Sequence, residues 1–157
     1  MKQIYLLVKV TSDKKYSPQE KINEYLKMKI QPAFWGSNHN LKVETIENIF
    51  TENQKNGYKK IYVLFLFSKE KNVFNYKAEL VKDIRIGKIK NSDKIHIPKP
   101  FRHNIHKLWL PIKKIQNISK NCDYKLEKFR TLNGENISNI NACSMARILK
   151  INNFSNY

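Results

Sequence analysis

Phe34-Trp35-Gly36-Ser37-Asn38 is the stretch of this sequence whose residue types best suit the holding of a ligand. Two large aromatics run directly into a glycine and two small polar residues. Such a set could hold a flat heteroaromatic ring. Trp35 supplies a π face, Gly36 lets the backbone come close, and Ser37 and Asn38 offer hydrogen bonds to a ring edge or a sugar. The same tryptophan could instead be a core residue at a helix–sheet junction, because tryptophan is highly buried on average. Residue types alone weigh the two readings equally. Trp109 lies in the strand pattern Leu108-Trp109-Leu110-Pro111-Ile112 and reads as core.

Catalytic chemistry has less to work with. The chain contains no Walker A loop and no GxGxxG, HExxH or GxSxG motif. His96, His103 and His106 fall in one segment, but no carboxylates stand at ligand spacing and the surrounding cations would repel a metal. Asp13, Asp83 and Asp93 lie in different segments. Cys122 and Cys143 form no CxxC pair, carry no sign of activation, and are expected to be reduced. The expectation is therefore a binding protein without cofactor or metal. Two competing readings remain: a nucleic-acid-modifying enzyme using His96 or His103, and a protein-interaction domain whose charge is only compositional.

The charge points to the kind of ligand. Thirty Lys and Arg stand against 13 Asp and Glu in 157 residues, a net charge of +17. Such an excess favours polyanions through counterion release, although a Lys/Asn/Ile-rich composition contributes to it. The stretch from Ile86 to Lys107 concentrates cations. Lys88, Lys90, Lys94, Lys99 and Arg102, together with Lys9, are the expected phosphate contacts. No membrane partner is expected: the longest apolar run, Ile61 to Phe67, is too short to span a bilayer, and the N-terminus lacks a signal-peptide pattern. The expected location is the cytoplasm.

The elements that must position these residues follow from periodicity. Ile4 to Val10 reads as a buried strand, and Thr11 to Tyr16 as a loop. Ser17-Pro18-Gln19-Glu20 has the form of a capping box opening a helix that buries Ile22, Tyr25 and Leu26 and ends near Ile30, ahead of Pro32. The Trp35 stretch reads as a loop. A second helix is expected over Leu41 to Lys55 with Val43, Ile46, Ile49 and Phe50 on one face. Lys60 to Ser68 reads as a central strand, hairpin-paired with a half-buried strand over Phe74 to Ile84. Ile86 to Lys107 reads as a long loop, functional or disordered, and Leu108 to Ile115 as a strand. A short helix over Asp123 to Phe129, a tight turn at Asn133-Gly134 and a last strand over Met145 to Ile151 complete the order. The fold class is α+β, with a strongly bent mixed sheet or small open barrel flanked by helices. Residues 1–151 read as one domain and 152–157 as a polar tail or linker.

In that order the chain resembles a YTH-like domain of the wider PUA/EVE superfold. The resemblance is carried by Tyr5-Leu6-Leu7-Val8-Lys9 with the polar segment Thr11 to Tyr16, by Phe34-Trp35-Gly36-Ser37, and by Ile61 to Ser68. It continues through Tyr76 to Leu80, Leu108 to Ile115 and Arg147 to Ile151. YTH domains read N6-methyladenine, so the resemblance implies that Trp35 is the first wall of an aromatic cage. Phe101 stands where the family has a further cage tryptophan, and His96 near another. Residues reading the base edge would fall at Thr11, Ser12 and Asp13, beside Gly36, Ser37 and Asn38. YTH-like and EVE-like domains also serve as targeting parts of McrBC-type restriction systems. The implied function is recognition of a modified base in DNA, N6-methyladenine or a methylated cytosine, by base flipping, with an AAA+ GTPase and a nuclease as partners. The alternative implied is a reader of N6-methyladenine in RNA.

Overall fold

The structure, a computed structural model, describes residues 3–38, 42–67, 73–132 and 134–137, and the backbone of 147–151. The expected 152–157 tail, Cys143 and the Asn133 half of the expected turn lie outside the described residues. Two strands form the centre. β1 (Ile4–Val10) and β3 (Ile61–Phe67) pair in parallel, with Leu6 opposite Val63 and Val8 opposite Phe65. Both are apolar and β-branched because both of their faces are covered. β3 then turns back into β4 (Tyr76–Leu80) as the expected antiparallel pair, shorter than its apolar pattern suggests.

The other strands extend this centre on both sides. β2 (Ala33–Ser37) and β5 (Arg85–Ile86) each pair antiparallel with β6 (Leu108–Asn117), which also joins β4 across a register shift between Lys77 and Glu79. β7 (Phe129–Thr131) and β8 (Arg147–Ile151) close the far side, β8 against β1. The order is β2-β6-β4-β3-β1-β8-β7, one strongly curled mixed sheet in an α+β fold.

The helices form where their ends are marked. α1 (Pro18–Leu26) has the full capping box: Glu20 N–H donates to Ser17 Oγ at 3.2 Å and Ser17 N–H to Glu20 Oε1 at 3.1 Å. It stops at Leu26, a turn short of the expected Ile30, because the chain must swing back to bring Ala33 into register with Ile112. Only Ile22 and Tyr25 are buried, and Leu26 faces water. α2 (Val43–Lys55) buries Ile46 and Ile49 and is tied down by Asn53, which is fully buried. Asn53 Oδ1 accepts from Ile4 N–H at 2.9 Å while its Nδ2 donates to the Ile4 carbonyl at 3.0 Å, so one side chain satisfies both groups of a strand residue.

Alternation along β1 and β3 separates two cores. Ile4, Leu6, Val8 and Val10 join Ile61, Val63, Phe65, both helices, β2 and Trp109 on one face. Tyr5, Leu7, Leu64 and Leu66 join Phe74, Leu126 and Phe129 on the other. The long segment before β6 is not a bare loop. It carries two 3-10 turns, Asn91–His96 and Lys99–Phe101, pinned by the buried Ile97 and Phe101. The expected helix over Asp123 to Phe129 is likewise two short 3-10 turns leading into β7. No helix among the described residues is long and apolar enough to cross a membrane.

Candidate functional site

The C-terminal end of β1, helix α1, strand β2 and the 101–109 segment meet around a pocket of about 320 Å³. Its walls are rings: Tyr25 from α1, Trp35 from β2, Phe101 from the second 3-10 turn, His106, and Trp109 at the start of β6. Its polar rim comes from Lys9, Thr11, Asp13, Lys21, Asn38 and Asn104.

Trp35 reaches this place from a strand, not from the loop its neighbours suggest. Ala33–Ser37 runs antiparallel to β6, with Trp35 opposite Leu110 and Gly36 opposite Trp109. Trp35 is only 6% exposed and packs against Tyr25 at 4.9 Å and Phe65 at 4.8 Å between ring centroids. It is a core residue and a pocket wall at once, and its packed ring is not an open stacking face. Tyr25, which its helical spacing marked only as core, links the two expected walls. It stacks on Phe101 at 6.0 Å and lies tilted against Trp35, and its hydroxyl donates to the Phe34 carbonyl at 2.7 Å. Burial holds the Tyr25 phenol above its ordinary range.

Gly36 also lines the pocket, and its lack of a side chain makes room for His106. A Cβ at Gly36 would overlap the His106 ring. That ring stands edge-on to Trp109 at 4.8 Å. Burial, and after it the charge of Lys21, hold the His106 imidazole below its ordinary value, so it is neutral at physiological pH. Its Nδ1 is buried without a hydrogen-bond partner, and so is Trp35 Nε1. These two are the buried unpartnered side-chain atoms among the described residues, and both residues line the same pocket.

The rim is partly committed to its own architecture. Asp13 Oδ1 accepts from the backbone N–H groups of Lys15 and Tyr16, each at 2.8 Å, and Oδ2 lies 3.5 Å from Lys21 Nζ. Desolvation works to raise the Asp13 carboxyl, but those backbone donors and Lys21 outweigh it and hold it below the usual carboxylate range. Lys21 also donates to the Thr11 carbonyl at 2.6 Å. Asn38 Oδ1 accepts from Lys107 N–H at 3.2 Å, tying β2 to the rim segment.

Of the residues expected at the base, Thr11, Asp13, Trp35, Gly36, Asn38 and Phe101 are brought together, and Lys9 joins them. Three are placed elsewhere. Ser37 is fully buried in β2 opposite Leu108, Ser12 is exposed outside the lining, and His96 packs on Phe34 at 5.0 Å while its Nδ1–H donates to the Pro32 carbonyl at 2.7 Å. Lys88, Lys90 and Lys99 stand exposed on the segment that supplies Phe101, Asn104 and His106, with Lys94 half-buried beside them. Arg102 is half-buried and its Nε donates to the Ile97 carbonyl at 2.9 Å, so it also braces that segment. Val10, Lys21, Tyr25, Asn104 and His106 are lining residues that sequence reading did not assign to the site, and Trp109, read as core, is a wall as well. Among the described residues no group of three or more His, Cys, Asp or Glu could hold a metal ion.

No protein-family model matches the chain, and no curated protein matches it. Among solved structures it is similar to the crystal structure of the YTH domain of the Zygosaccharomyces rouxii MRB1 protein in complex with N6-methyladenosine RNA. That likeness covers 91% of this chain and 78% of that one, at 14% identity and a TM-score of 0.40. A likeness of that size carries no argument about the site, which rests on its own geometry.

Proposed function

We propose that this chain is a non-catalytic module that takes one modified base of a nucleic acid, turned out of its stack, into the pocket between β1, α1, β2 and the 101–109 segment. The observation that carries this reading is the pocket itself: ring-lined walls holding two buried polar atoms without partners, in a protein of net charge +17. A buried polar atom left unpaired costs roughly 1–3 kcal/mol, and a ligand edge that pairs with it returns that energy as affinity. Trp35 Nε1 can only donate, so it suits a ring nitrogen or carbonyl oxygen; neutral His106 can donate or accept. Both atoms are closed to water in the free pocket, so this reading requires the half-buried His106 ring to shift as the base enters. At about 320 Å³ the pocket lies at the small end of the roughly 300–1,000 Å³ range of ligand sites, a size suited to one base with its sugar.

In this reading Phe101 and Tyr25 supply ring contacts, and Thr11, Asn38 and Asn104 meet the sugar and base edge. Lys9, Lys88, Lys90, Lys94 and Lys99 hold phosphates. Residues 1–151 form the reading domain, of the YTH/EVE-like, PUA-type class that the sequence resembles. The polymer is DNA, carrying N6-methyladenine or a methylated cytosine, and the setting is the targeting part of a McrBC-type restriction system with a GTPase and a nuclease. The same pocket would serve a reader of N6-methyladenine in RNA.

Binding of the wild-type chain to matched DNA and RNA, in single-stranded and duplex form, tests this at one fixed salt concentration. Each would carry adenine, N6-methyladenine, cytosine or 5-methylcytosine at one position. A preference for one modified base supports the pocket and names its ligand. Equal, salt-sensitive binding to all would leave only a basic surface and sink the pocket assignment.

A further inference from the structure

We propose that Ile105 is a wedge that enters a nucleic-acid duplex and fills the place left by the base drawn into the pocket, an inference that rests on the base-binding reading above. Ile105 is 87% exposed, the most exposed large hydrophobic side chain among the described residues. Isolated exposed apolar residues are ordinary, but this one has a particular address. Its two chain neighbours, Asn104 and His106, both line the pocket, so Ile105 is carried on the stretch of chain that borders it.

The segment that carries it is held on both sides. Asn104 N–H donates to the Phe101 carbonyl at 3.1 Å, Lys107 N–H donates to Asn38 Oδ1 at 3.2 Å, and Gly87 N–H donates to the Lys107 carbonyl at 2.8 Å. An apolar side chain on a braced rim does not need to be ordered when it binds. Arg102 and Lys107 flank it in sequence, and Lys99 is exposed on the same segment. This surface therefore offers an apolar tip set among cations, which suits a polyanion with an apolar interior. A nucleic-acid duplex is that partner, because its charged backbone encloses stacked bases. Extruding a base from a duplex opens a gap in the stack, and proteins that distort duplexes insert isoleucine and similar side chains at such steps. A single strand has no such gap to fill, so the wedge marks the duplex as the form engaged.

The test compares wild type, Ile105→Ser and Ile105→Leu on a duplex bearing one N6-methyladenine, on a second bearing one 5-methylcytosine, and on the matching single strands. Ile105→Ser should bind the preferred modified duplex roughly tenfold more weakly, the penalty of an unfilled step. It should bind the single strand within about twofold of wild type, where no step needs filling. Ile105→Leu should restore duplex binding. Unchanged duplex binding by Ile105→Ser, or an equal loss on duplex and single strand, would overturn the wedge and leave the pocket standing. If wild type prefers neither modified base in any form, the pocket reading fails and the wedge falls with it, a result visible without any variant.

Discussion

The two faces of the sheet carry aromatic clusters of similar make-up and opposite finish. On the far face Tyr5 meets Phe129 edge-on at 5.6 Å and Phe129 meets Phe74 at 5.4 Å. Tyr5 Oη donates to Gln3 Oε1 at 3.0 Å, and Lys77 Nζ lies over the Tyr62 ring at 4.9 Å while donating to Tyr124 Oη at 3.3 Å. On the pocket face Tyr25, Trp35, Phe65 and Phe101 make ring contacts of the same kind and length. That face keeps a ring-lined void, and Trp35 Nε1 and His106 Nδ1 beside it are the unpaired buried side-chain atoms among the described residues. Aromatic residues therefore do not distinguish a site from a core. Unfinished hydrogen bonding next to open space does, because a cluster built only for stability would pair or remove those atoms.

Deleting one ring from each cluster gives the strongest test of that difference. Phe129→Ala and Trp35→Ala should each cost about 3–5 kcal/mol of stability, read from urea unfolding, because both leave a cavity in a packed core. Modified-base selectivity should survive in the folded fraction of Phe129→Ala and disappear in Trp35→Ala. Loss of selectivity in both would mean that the two faces are not separable. Gly36→Ala comes next. Its Cβ would collide with the His106 ring, and overpacking of this kind costs about 1–3 kcal/mol. Trimming the obstacle in Gly36→Ala/His106→Ala should recover most of that loss, a coupling that unfolding of the two single variants and the double variant measures directly.

The same contrast explains what could be read from the sequence. The centre of the sheet and the start of α1 were legible because they follow local rules. The apolar runs of β1 and β3, the Ser17–Glu20 capping box and the burial of Trp109 each leave a mark within a few residues. The pocket leaves one local mark, the 35–38 stretch, because its walls come from around residues 10, 25, 35 and 105 and meet only in the folded chain. Pro32, Gly36 and Ser37 look like loop residues, yet pairing with β6 overrides that preference and makes Ala33–Ser37 a strand. The glycine suggested close backbone approach to a ligand, but the space it leaves is occupied by an imidazole 70 positions away. Three histidines in one segment gave no sign of which would face the pocket. His96 is taken up by Phe34 and the Pro32 carbonyl, and His106 is the one that lines it.

His106→Phe keeps a ring between Gly36 and Trp109 and deletes the unpaired nitrogen. It should lower affinity for the preferred base about tenfold, the scale of one lost hydrogen bond to a buried group, while leaving stability at pH 7 unchanged or higher. Its effect on acid stability has a definite sign. Burial and Lys21 hold the folded His106 below the ordinary value of about 6.5, so the unfolded chain binds its proton first as pH falls. The stability that depends on a neutral His106 is complete above about pH 6.5 and is lost as pH falls through the lowered folded value. Of the pocket's other groups, Asp13 is held below the usual carboxylate range and Tyr25 above the usual phenol range, so neither titrates in that interval. The stability of His106→Phe, followed by thermal unfolding, should therefore fall less steeply than wild type below pH 6.5.

The smallest effects should come from single lysines, and here two regions of the surface differ again. Glu79 gathers Lys60 at 2.8 Å, Lys113 at 3.8 Å and Lys114 at 3.8 Å, so one carboxylate answers three cations on the β4–β6 side. Lys88, Lys90, Lys94 and Lys99 form no ion pair among the described residues and sit on the segment that carries Phe101 and His106 to the pocket. Each phosphate neutralised on double-stranded DNA contributes about 0.9 to the slope of log affinity against log salt. Lys99→Gln should therefore reduce that slope by about 1 and weaken modified and plain sequences alike, since a phosphate contact reads no base. Lys113→Gln should leave the slope unchanged. Equal reductions from both would mean that the basic protein is met by nucleic acid all over its surface. A reduction from Lys99→Gln alone would place the backbone along the 88–107 segment, which itself supplies Phe101, Asn104 and His106 to the pocket wall.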